Sequence, residues 1–101
     1  MPVHGNSREN NQLHHLYQID DIQEKEVFKY GITDDPIEKD GLSKRIRYQL
    51  NLYNRVAGIF RFTAKILRIN ILGRTKAKAI EEDYVKKHEK KYGSRPRGNP
   101  E

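Results

Sequence analysis

Apolar and polar positions alternate with a period of two through the first third of the chain. Leu13, His15, Tyr17 and Ile19 interleave with His14, Leu16, Gln18 and Asp20, and Val27, Lys29 and Gly31 interleave with Phe28, Tyr30 and Ile32. That spacing sends successive side chains to opposite faces and predicts two strands. The polar run 20–26 between them joins the two as an antiparallel hairpin. The period then lengthens. Leu42, Ile46, Leu50 and Tyr53 recur every three or four residues, which predicts a helix over 42–53 with Asp40 as its N-cap. Residues 59–71 are rich in β-branched and aromatic side chains and read as a third strand, bulged near Arg68 and ended by Gly73. Thr75 is placed to cap a second helix reaching Tyr92, with Glu82–Lys86 and Asp83–Lys87 as supporting pairs and Gly93 as its stop. The order β-β-α-β-α predicts an α+β fold, a small central antiparallel sheet of about three strands flanked by helices. Residues 1–11 are polar and turn-rich and read as an arm or linker, leaving 12–101 as the domain.

Composition narrows the chemistry. A chain of 101 residues builds one core, and 20 Lys and Arg against 14 Asp and Glu leave a net charge of +6. The excess favours an anionic partner, most often nucleic acid, although solubility alone accounts for such a charge equally well. With no cysteine, disulfides and thiolate zinc sites are excluded. No signal peptide is visible, and no apolar run approaches the ~18 residues of a membrane span. Phosphate-loop and HExxH patterns are absent, and Ser7, Ser43 and Ser94 lack the setting of a hydrolase nucleophile.

Several polar residues sit where the pattern expects apolar ones. On the second helix, Glu81 falls among Ala77, Tyr84, Val85 and His88, with Ile80 at the edge, while Glu82 and Asp83 point away. A carboxylate in an apolar stripe is costly unless a metal or a cation pairs it, so Glu81 is either a metal ligand or half of a salt bridge. On the first helix, Arg45 lies beside Gln49 and Leu52 at the stripe's edge, and Lys44 and Arg47 lie further toward solvent. A partly buried guanidinium there suits a phosphate, and an ordinary surface arginine fits the same position. Tyr17 is either core packing with its hydroxyl at the rim or part of an open face. Lys29 stands between Val27 and Gly31, beside the gap a glycine leaves. His14 and His15 face opposite ways, so one at most joins any given site as a proton carrier.

In this order, the residues resemble the GIY-YIG nuclease superfamily over about 13–99. Leu16-Tyr17 is similar to the end of its first motif, with His15 in the place of the usual glycine. Lys29-Tyr30-Gly31-Ile32-Thr33 is similar to the second motif, with Lys29 at the usual tyrosine. Arg45-Ile46 resembles the helix arginine, Gln49 stands where many members carry histidine, and Ala77, Ile80, Glu81 and Val85 resemble the glutamate helix. Asn99 would be the terminal asparagine. Within the superfamily, the chain looks most like the URI-type nuclease toxins at the C-termini of bacterial polymorphic toxins. That likeness makes the polar arm the remnant of a junction to a larger delivery protein.

The resemblance implies a divalent-metal-dependent endonuclease that hydrolyses DNA in one step and acts as an antagonistic toxin in the cytoplasm of a target bacterium. Glu81 would hold one Mg2+ or Mn2+, Arg45 would neutralise the scissile phosphate, and Tyr17 would accept the proton of the attacking water. Lys29, with Tyr30 as substitute, would orient that water, and His15 and Asn99 complete the catalytic candidates. A free tyrosine with pKa ~10 is only about 0.1% ionised at pH 7, so either a nearby cation, with Lys29 and Arg45 to supply the field, depresses the pKa of Tyr17 or the metal helps. Arg45, Arg47, Lys25, Lys65, Arg68 and Arg74 are the expected contacts to the phosphate backbone. An acidic immunity protein would be the second partner. The competing function is a non-catalytic nucleic-acid-binding module of similar fold.

Overall fold

The structure is a computed structural model that describes residues 12–100; the arm predicted over 1–11 lies outside the described residues. Five elements follow in order: β1 (Leu13–Asp21), β2 (Glu26–Thr33), α1 (Lys44–Ala57), β3 (Phe62–Leu72) and α2 (Arg74–Tyr92). They form the expected β-β-α-β-α fold, with one antiparallel sheet in the order β2-β1-β3. β1 is central, and its consecutive residues Leu16 and Tyr17 are buried on opposite faces. Tyr17 and Ile19 pack with Ile46 and Phe62 under α1, while Leu16 packs with Ile71 and Ala77 under α2. One helix therefore covers each face, and burying each such aliphatic side chain contributes roughly 1.5–3 kcal/mol.

Local interactions move several of the predicted boundaries. Ser43, not Asp40, caps α1: its Oγ accepts from the Ile46 N–H at 3.2 Å. The Asp40 carboxylate instead closes the preceding turn by accepting from the Leu42 N–H at 3.0 Å. α1 runs past Tyr53 to Ala57 because Gly58 supplies its left-handed stop, at φ 75°. The Asn54 side chain then accepts from the N–H groups of Arg61 and Phe62, so β3 begins at Phe62 rather than at 59. α2 begins after Gly73, which makes no side-chain cap, so Thr75 lies inside the helix. Gly93 ends it as predicted.

Bulges decide which side chains face which helix. The β1–β3 register shifts twice between His14 and Tyr17, beside the predicted bulge at Arg68, with Asn70 at φ 57°. A third irregularity, in the β1–β2 ladder after Ile19, leaves Phe28 as an extra residue. Phe28 consequently joins Tyr53 and Phe62 on the α1 side, whereas Tyr30 turns to Tyr84 and His88 of α2. Simple alternation places Phe28 and Tyr30 on one face, and the bulge separates them.

The residues after α2 dock along the outer edge of β2. Gly98 N–H donates to the Phe28 carbonyl at 2.7 Å, and the Asn99 amide bonds both the N–H and the C=O of Tyr30 at 2.8 Å each. Arg95 reaches back to Glu82 of α2 at 3.0 Å, so Glu82 pairs with the tail rather than with Lys86. Asp83 and Lys87 do form their i,i+4 pair, at 3.1 Å. Arg97 bonds Asp21 and Glu26.

Asp21, with a fully buried side chain, accepts from Arg61 Nε and Nη2 at 2.9 and 2.7 Å and from the Glu24 N–H at 3.2 Å. The Arg61 bonds hold its carboxyl well below the usual carboxylate range against the upward push of burial, and the Glu24 amide and Arg97 add to them. A depressed pKa contributes stability that is present above the unfolded-state value of ~3.9 and lost as the pH falls through the folded-state value. We expect Asp21→Asn to lower the Tm at neutral pH and to flatten its decline below about pH 4 relative to the parent protein. Circular-dichroism melts across that range check both effects; parallel pH curves for the two proteins would refute this role.

Candidate active site

β2 has β1 on one side only, and its residues Lys29, Tyr30, Gly31 and Ile32 contribute to a cleft of about 200 Å³. Tyr17, Lys29, Tyr30, Gly31, Arg45, Arg74, Lys78, Glu81 and Asn99 line it. The sheet, both helices and the tail thus all contribute. Tyr17 and Gly31 are partners in the β1–β2 ladder, and the Tyr17 ring lies across the glycine: a Cβ there would overlap the phenol, with Cε1 at 2.9 Å. Lys29 pairs with Ile19 and so shares that face, at the edge of the sheet.

Tyr17 is 1% exposed, and its hydroxyl donates to Gln49 Oε1 at 3.1 Å. Burial pushes its pKa up, and the Gln49 contact and the Arg45 charge only partly counter that. The expected depression is therefore reversed, because desolvation outweighs the nearby cation. Lys29, half-buried, shifts down: burial is the main cause, Arg45 and Lys78 add to it and Glu81 opposes it. Arg45 is anchored by its backbone, whose N–H donates to Asp35 Oδ2 at 3.1 Å. Its side chain is exposed rather than partly buried and makes no hydrogen bond or ion pair among the described residues.

Glu81 has the orientation its helix phase predicts, since Ala77 and Val85 are fully buried and its side chain is 12% exposed. Its Oε1 lies 3.3 Å from Lys78 Nζ. Among the described residues, no group of three His, Cys, Asp or Glu is placed to share a metal. The donor set for a cation here is thus one hard carboxylate in a polar cleft. That fits Mg2+ or Mn2+, which are commonly held by one or two carboxylates while substrate phosphate and water fill the remaining positions.

The other sequence candidates divide by position. Tyr30 contributes to the cleft wall, but its ring packs on Tyr84, with centroids 5.5 Å apart. The amide of Asn99 is occupied by the Tyr30 backbone, which places it as a clamp on the strand. His15 lies outside the cleft; its Nδ1 accepts from the Asn70 N–H at 3.2 Å, and burial followed by His14 lowers its pKa. Arg74 joins Arg45 at the cleft. Arg47 is engaged by Glu38 and Asp40, Lys25 lies in the β1–β2 turn, and Lys65 and Arg68 are exposed on β3 across the sheet. Lys78 is the lining residue that sequence reading missed; its signal is the i,i+3 spacing to Glu81, which sets it beside that carboxylate.

Fold and cleft together define a small basic α+β domain whose polar groups converge on an edge strand. Residues 7–93 match the family described as URI fold toxin 2. The chain belongs to that family and is a URI-fold toxin domain. Asn99 and the rest of the docked tail lie beyond the matched residues. No curated protein matches the chain, and no solved structure does. No helix among the described residues is long and apolar enough to cross a membrane.

Proposed function

We propose that this toxin domain is a divalent-metal-dependent endonuclease of the GIY-YIG type that hydrolyses DNA phosphodiester bonds. The observation that carries the reading is the convergence of Tyr17, Lys29, Arg45 and Glu81, from four different elements, on the one cleft around Gly31. Arg45, whose guanidinium has no hydrogen bond or ion pair among the described residues, binds the scissile phosphate and offsets the charge that develops there. The Lys29 ammonium orients the attacking water, and Tyr17, as its phenolate, takes that water's proton. For that transfer Tyr17 must first lose its own proton to bulk water, which burial opposes and the Gln49 contact and Arg45 charge favour. Glu81 is the carboxylate that would hold Mg2+ or Mn2+, and Lys78 must release one of its oxygens when it does. The bound ion would supply Lewis-acid stabilisation of the phosphate and of the leaving oxygen. Asn99 and Tyr30 keep β2 in register for Lys29.

The domain would act in the cytoplasm of a target bacterium after delivery as part of a larger protein, and an acidic immunity protein would complement its basic cleft. Two observations favour a second reading, a non-catalytic nucleic-acid-binding module: burial raises the pKa of Tyr17, and Glu81 is already paired with Lys78. Plasmid nicking with Mg2+ and with EDTA separates the two. Metal-dependent nicking supports the nuclease, and tight binding without nicking supports the module. In the same assay, Arg45→Ala is expected to cost on the order of a hundredfold and Arg47→Ala far less, because Arg47 serves the loop carboxylates Glu38 and Asp40. Equal losses would remove Arg45 from the site.

A further inference from the structure

The cleft does not end at Arg45. A smaller polar pocket of about 100 Å³ adjoins it, lined by His14, Ile32, Thr33, Asp34, Arg45 and Arg74. Ile32, Arg45 and Arg74 belong to both cavities, so the two share a wall in which both arginines stand. Four other arginines of the described residues, Arg47, Arg61, Arg95 and Arg97, are neutralised by carboxylates. Arg45 and Arg74 make no hydrogen bond or ion pair through their side chains among the described residues. A concave polar site with two guanidinium groups that pair with no carboxylate among the described residues is suited to a bound anion.

The floor of the pocket is built for a polar ligand as well. His14 is 3% exposed, and its Nδ1 is engaged by the Gln12 carbonyl at 2.9 Å, which fixes the ring and leaves Nε2 for another partner. Thr33 is also buried, and its hydroxyl accepts from the Asp35 N–H at 3.1 Å, so the loop wall is held by its own hydrogen bond. Asp34 is the one carboxylate in the lining; it is exposed, and the two arginines outnumber it.

We infer that the cleft binds two successive phosphates of one nucleic-acid strand: the scissile phosphate beside Lys29 and Arg45, and its neighbour in the adjoining pocket among Arg45, Arg74 and His14. The inference rests on the nuclease reading for the identity of the first phosphate. It adds a specificity subsite, in which Arg74 and His14 set the register of the strand and the minimum length of the substrate.

Nucleotides that carry two phosphates in different arrangements test this without cleavage. Thymidine 3′,5′-bisphosphate spaces its phosphates as a strand does, whereas thymidine 5′-diphosphate carries both on one side and thymidine 5′-monophosphate carries one. Calorimetric titration of the parent protein at fixed ionic strength is expected to show the bisphosphate binding about tenfold more tightly than either comparator, the effect of one added charge-assisted contact. Arg74→Ala, a change at an exposed position, should erase that preference, and His14→Gln should reduce it. Arg55→Ala, at an exposed arginine of α1 outside both cavities, should keep it. A parent protein without the preference, or an Arg74→Ala protein that retains it, overturns the inference. Failure of the nuclease reading looks different: a bisphosphate preference that depends on Arg74, in a protein that does not nick DNA.

Discussion

Glu81→Gln is expected to lower metal-dependent cleavage by on the order of a thousandfold while leaving the melting temperature close to that of the parent. The substitution keeps the shape of the side chain and removes only its charge. Its structural partner is Lys78, half-exposed at 3.3 Å, and pairs of that kind contribute ~0–1 kcal/mol. No group of three His, Cys, Asp or Glu among the described residues offers an alternative cation site. The measurement is the initial nicking rate across a series of Mn2+ concentrations, with a thermal melt alongside. An active Glu81→Gln protein would show that the cleft does not use this carboxylate. The melt distinguishes loss of chemistry from loss of fold.

The second large effect is expected at a residue with no functional group. Gly31→Ala places a methyl in the volume of the Tyr17 phenol, which is buried and cannot swing into solvent. Overpacking of this kind costs about 3 kcal/mol when neighbours are rigid, and in a domain of this size that corresponds to a fall in Tm of more than about 10 °C. Relief comes only if Tyr17 leaves Gln49 or if β2 separates from β1, and either movement dismantles the cleft. Both stability and cleavage should therefore fall, in contrast to the isolated loss of cleavage at Glu81. An unchanged melting temperature would mean that the ring and the strand are not in contact as described.

Much of this architecture is legible in the sequence because it rests on periodicity. The period-2 runs, the 3.6-period stripes and the β-branched, aromatic stretch of the third strand give five elements in the right order, and the phase of Ala77 and Val85 turns Glu81 inward. What escapes is what depends on single non-periodic residues. The extra residue at Phe28 sends that side chain to the α1 face, and no local propensity marks it. Ser43 displaces Asp40 as the cap because Arg47 and the Leu42 amide already engage Asp40. The pKa direction of Tyr17 is illegible for a different reason: it is set by burial at 1% exposure, a property of the assembled core. Lys78 and the pairing of Arg45 with Arg74 depend on where the two helices meet the strand edge, which no single segment encodes.

The tail carries a kinetic consequence. The hairpin and its turn form from neighbours, but the Asn99–Tyr30 clamp joins residues 69 positions apart. Closing so long a loop is entropically costly, and contacts of that separation form late. Until the tail docks, the outer hydrogen-bonding groups of the strand that carries Lys29 face water, and the cleft lacks one wall. A chain that is still incompletely folded can therefore hold its hairpin and helices and yet lack a finished site.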